Sequence, residues 1–161
     1  MNKMFLRLQE QLNKQNNIIQ QLLLLGERES EALVKNDIQL LTEVVHAQEQ
    51  VGVRLVEIEK ERLILQEDMA EQLSLNKNVS LRQLIKSSSF QSDAIIDLAD
   101  TLKTNYLQLQ ELNETNRMLI KQSLVYINKM LSTFMPQNET TYQNSGMVKT
   151  AANSSTIDKS V

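Results

Sequence analysis

The stretch ALVKNDIQLLTEVV, residues 32–45, decides how the chain is organised. Before it, Phe5, Leu8, Leu12, Ile19, Leu22 and Leu33 fall on a 3-4 repeat, with Gln15, Gly26 and Glu29 filling the seam positions between them. That spacing puts one apolar stripe along one helix, over residues 3–34. At KNDI the repeat breaks. Asn36 or Asp37 can accept the orphan amide protons of a new helix, and Gln39 stands three residues after Asn36 as in a capping box. A tight turn here reverses the chain.

Beyond the turn the spacing resumes through Leu41, Val44, Val51, Leu55, Ile58, Leu65 and Met69, interrupted by Gln48 and Arg62, and predicts a second helix over 38–73. The segment SLNKNVSLRQLIKSSSF, residues 74–90, loses the period among Asn76, Asn78 and its serines. Within it Ser80 and Gln83 bracket a capped helix of one or two turns, about 81–87. A third long helix, about 91–134, carries Ile95, Leu98, Leu102, Leu109, Leu112, Leu119, Tyr126 and Met130, with Asn105, Asn116 and Ser123 as polar members of its seam. At 1.5 Å per residue its ~44 residues span roughly 65 Å. It also carries a second 3-4 line, Ile120, Leu124, Ile127, Leu131 and Phe134, beside the first. Two stripes imply two partners.

Pro136 closes that helix, and residues 136–161 are crowded with Asn, Ser and Thr. Such a segment buries too little apolar surface to offset its ordering entropy, so the tail is expected to be disordered alone. The expected architecture is therefore all-α: an antiparallel three-long-helix coiled-coil-like bundle over residues 1–135, with a short connector helix and a disordered C-terminal tail over 136–161.

Composition agrees. The 161 residues are 41% hydrophobic, with one Pro, three Gly, no Trp and no Cys. The absence of cysteine removes disulfides and thiol chemistry and fits a reducing compartment, so the expected location is cytoplasmic. The greasiest run, IIQQLLLL, is far short of the ~20 residues of a membrane span. A net charge of -3 with the signs interspersed offers no basic stripe to a nucleic acid.

No constellation argues for an enzyme, a metal or a cofactor. Glu43 and His46 have the Glu-x-x-His spacing of di-iron bundles, but such a site needs the motif twice and His46 is the single histidine. A solvated helix face is the better reading. The polar seam residues Gln48 and Asn105 read as register control, in which a buried polar group penalises mispaired helices. Asn116 stands at the mouth of the wide apolar face.

ERESEALVKNDIQLL (27–41), IEKERLIL (58–65) and LNETNRMLIKQSLVYINKML (112–131), followed by Pro136, resemble in order and spacing the FlgN family of flagellar export chaperones in its Gram-positive form. The likeness runs over about residues 5 to 136. The resemblance implies a cytoplasmic helical chaperone that masks the C-terminal segments of hook-associated proteins one and three, the hook-filament junction proteins. It also implies delivery to the export gate protein FlhA through a tyrosine in the tail, which here is Tyr142, with Gln143 where the family often has glycine. An amphipathic client helix laid along the last long helix would use Asn116, Leu119, Ile120, Leu124, Ile127, Met130, Leu131 and Phe134. The competing readings are that the stripe is simply covered by the first helix or by a second copy of the protein, as a weak homo-oligomer contact in a chaperone or a permanent one in a structural coiled-coil or scaffold protein without an export role.

Overall fold

A computed structural model describes residues 2–88 and 93–134. They form four helices: α1 Asn2–Lys35, α2 Ile38–Gln72, α3 Leu81–Ser87 and α4 Asp93–Phe134. The fold is the expected helical bundle. The tail 136–161 with Tyr142, and residues 91 and 92 at the expected start of the last helix, lie outside the described residues.

The α1–α2 turn is a C-cap followed directly by an N-cap. Asn36 takes the left-handed conformation (φ 55°). Its amide donates to Leu33 O at 3.3 Å and that of Asp37 to Ala32 O at 2.9 Å, the two bonds of a Schellman motif. Asp37 then caps α2, its carboxylate accepting from the Leu40 amide at 3.0 Å. Asn36 therefore ends the first helix rather than starting the second, and the Asn36–Gln39 capping box expected from the spacing is replaced by Asp37 acting alone. The same closure recurs at the end of α2, where Ser74 is left-handed (φ 55°) and Leu75 N–H reaches Ala70 O at 2.9 Å. At α3 the Gln83 amide donates to Ser80 Oγ (3.3 Å), which donates in turn to Gln83 Oε1 (3.2 Å).

By its internal contacts the chain divides into Met1–Lys121 and the residues from Gln122 onward. In the first unit the seam residues of α1 and α2 are all buried or half-buried. The direction of each helix follows from cross-links. Gln11 Nε2 donates to Glu61 Oε2 (3.0 Å) and Gln48 Nε2 to Glu29 Oε2 (2.8 Å), so α1 and α2 are antiparallel. Asn16 Nδ2 donates to Leu98 O (3.1 Å) and Asn116 Nδ2 to Gly26 O (2.9 Å), so α4 runs parallel to α1. The aliphatic core gathers around Phe5, Leu8, Leu12, Ile19, Leu65, Met69, Leu84, Ile85, Ile95 and Leu102. Fully burying such side chains contributes about 1.5–3 kcal/mol each, which is what keeps the short α3 in place through Leu84 and Ile85. Arg82 adds an ion pair in which one guanidinium nitrogen donates to both carboxylate oxygens of Asp100, at 2.7 and 3.0 Å, but both side chains are more than half exposed and the pair contributes little.

Candidate functional site

The first unit binds its helices with two polar layers as well as with aliphatic packing. In one, Asn105 Nδ2 donates to Asn16 Oδ1 (3.1 Å) while Asn16 Nδ2 donates to Leu98 O, tying α1 to α4 twice. In the other, Asn116 is 2% exposed and its amide donates to Gly26 O and to Glu29 Oε2 (3.0 Å). Ser30 Oγ donates to Asn116 Oδ1, and Gln48 from α2 shares the Glu29 carboxylate. A one-residue slip of any helix strands these groups, so the layers fix register. Asn116, expected at the apolar face, is thus bonded wholly into the α1–α4 seam and offers no atom to a partner. Asn16 was not legible as a functional partner of Asn105, because it lies one position off the seam that Gln15 occupies.

Gly26 lets this layer close. A Cβ added there would stand 2.7 Å from Leu112 Cδ2, so even an alanine requires the Leu112 side chain to move. Tyr106 faces α2. Burial pushes its phenol above the usual range, and the Glu59 carboxylate adds to the shift while Arg62 opposes it.

The end of α4 is different. From Gln122 to Phe134 no side chain is buried, and Leu124 (55% exposed), Ile127 (49%), Leu131 (51%) and Phe134 (76%) lie open together with Val125, Tyr126 and Met130. At 100° per residue Leu124, Ile127, Leu131 and Phe134 share an arc of about 80°, with Met130 and Tyr126 adjoining it. In the turn before, Leu119 is half-buried and Ile120 is 39% exposed. Of the residues expected on this face, all but Asn116 therefore retain accessible apolar surface. Val125 was not foreseen, since it falls among Asn128, Lys129 and Ser132 on the opposite side. Contiguous open apolar strips of this kind are a recognised mark of protein-interaction surfaces.

Glu43 and His46 lie exposed on α2, with His46 paired to Glu49 at 3.8 Å and to Gln50 at 3.1 Å on its own helix. Among the described residues no cluster of His, Asp or Glu could hold a metal ion, and no helix is long and apolar enough to cross a membrane.

Fold and face together define a class: an α-helical bundle, locked by internal polar layers, with an open apolar strip at one helix end. The model of the FlgN protein family matches residues 1–150, and the chain belongs to that family. It is accordingly a flagellar export chaperone, of a family whose members bind hook-associated proteins. No curated protein and no solved structure showed a match.

Proposed function

We propose that this chain acts in the cytoplasm, where it holds the C-terminal segments of hook-associated proteins one and three, keeps them from assembling early, and passes them to the export gate protein FlhA. The observation that carries this reading is the open apolar face of α4 at Leu124, Ile127, Met130, Leu131 and Phe134. Leu119 and Ile120 extend it by one turn along the same helix. A client segment that becomes helical on this face buries several aliphatic side chains at about 1.5–3 kcal/mol each. That outweighs the ~2–5 kcal/mol cost of ordering it. The interaction therefore protects a client without demanding that the client be folded beforehand.

Holding and delivering rest on different residues. Tyr142 is the docking group we assign to the gate, since a single ring among small polar residues suits a short linear motif whose modest affinity becomes effective when client and chaperone arrive together. Co-purification of the untagged protein from a flagellated host is expected to bring hook-associated proteins with it, and their absence from the eluate contradicts the client assignment. Tyr142→Ala is expected to leave client affinity within about twofold by calorimetry while weakening the loaded complex's binding to the cytoplasmic part of FlhA. Unchanged gate binding removes Tyr142 from the scheme and leaves the holding role standing.

A further inference from the structure

The charge of α4 changes sign along its length. Its first part, Asp93–Glu114, carries Asp93, Asp97, Asp100, Glu111 and Glu114 against Lys103 alone. From Thr115 to Phe134 the helix carries Arg117, Lys121 and Lys129 and no carboxylate at all. Arg117 lies 3.9 Å from Glu114, an exposed pair. Among the described residues Lys121 and Lys129 make no ion pair. On the helical wheel these two flank the apolar strip on opposite sides, each about 60° beyond its edge at Leu124 or Tyr126. Cations near a helix C-terminus also suit its dipole, but that effect fades within the last turn and does not account for the loss of every acid over about five turns.

We propose that the occupant of this face is an amphipathic helix whose apolar stripe is edged by carboxylates on both sides. The inference rests on the reading of this face as the client seat and names the chemistry that selects the client. Long lysine side chains reach across the rim of such a contact while their stems add apolar cover. A second copy packed strip against strip would instead bring Lys121 and Lys129 against the same two lysines of its partner, a like-charge juxtaposition that penalises that pairing. Charge thus favours an acidic-edged client over strip-against-strip pairing of two copies.

The test uses the full chain and three synthetic amphipathic peptides that share one Leu/Ile 3-4 stripe and differ only at the flanking positions, which are Glu, Gln or Lys. Fluorescence anisotropy is expected to rank them Glu, Gln, Lys, with the Glu peptide at least about tenfold tighter than the Lys peptide at about 0.05 M salt and the gap narrowing at about 0.5 M. In Lys121→Glu/Lys129→Glu the order is expected to reverse with the thermal unfolding midpoint unchanged. Equal binding of the Glu and Lys peptides, or no binding by any of the three, overturns the inference. So does sedimentation of the free chain as a dimer that Leu131→Asp disperses, since a second copy would then own the face. If the chain still captures hook-associated proteins from its host, such a failure condemns the charge rule alone; if capture fails too, the client reading beneath it falls.

Discussion

The beginning of α4 and its end are built from the same kind of residue at the same spacing and meet opposite environments. Ile95 and Leu102 are buried, and Leu98, Leu109 and Leu112 half-buried, within a unit that also contains α1, α2 and α3. Leu124, Ile127, Leu131 and Phe134 are just as apolar and lie open. α4 has 42 residues, against 34 in α1 and 35 in α2. Periodicity therefore reports that a face is apolar, while burial reports whether the described residues cover it. An apolar face left open is costly in solubility, and its retention here fits a protein whose partner arrives from outside.

The largest effect separates the two regions by stability. Leu12→Ala, in a fully buried position, is expected to cost about 2–5 kcal/mol, whereas Leu131→Ala is expected to stay within about 0.5 kcal/mol in denaturant titrations. Comparable losses at the two sites would erase the distinction.

Two buried amides sharpen the account next, because they predict opposite signs. Asn116→Leu removes bonds to Gly26, Glu29 and Ser30 and is expected to cost about 1–3 kcal/mol. Gln15 is fully buried, and among the described residues neither of its amide atoms finds a partner. Gln15→Leu is therefore expected to stabilise the bundle by about 1–3 kcal/mol. A destabilised Gln15→Leu would mean that this amide is needed for register after all.

The smallest contrast sets the two helical glycines against each other. Gly52 has nothing within 4 Å of an added Cβ, so Gly52→Ala is expected to raise stability by about 0.5–1 kcal/mol from helix propensity. Gly26→Ala should gain less, because Leu112 must rotate aside to admit the methyl group. Equal gains, read from urea midpoints, would show that α4 does not approach α1 as closely as the Asn116–Gly26 bond requires.

Much of this was legible in the sequence, for a physical reason. A long two-stranded or three-stranded helical seam repeats one simple constraint many times, so Phe5 to Leu33 and Leu41 to Met69 announce their helices and their inward faces together. The second apolar line of α4 was equally visible, as was Ser80 as a cap. Details that depend on single backbone angles were not. Nothing in KNDI distinguishes a left-handed Asn36 followed by a capping Asp37 from a capping Asn36, since both residues serve either role. Asn116 was misplaced for a related reason. On the wheel it falls in line with the later apolar residues, and only the cross-chain geometry of Gly26, Glu29 and Ser30 reveals that its amide is already spoken for.

The central claim is that the end of α4 is an interface and not core, and the double variant Ile127→Asp/Leu131→Asp tests it most directly. Both positions are about half exposed, so the new carboxylates meet water in the free protein and an apolar partner in the complex. Circular dichroism is expected to show unchanged helix content and a melting midpoint within about 2 °C of the parent. Calorimetric affinity for a hook-associated protein of the same host is expected to fall at least about a hundredfold. A variant that unfolds outright, or that binds the client as tightly as the parent, contradicts the account.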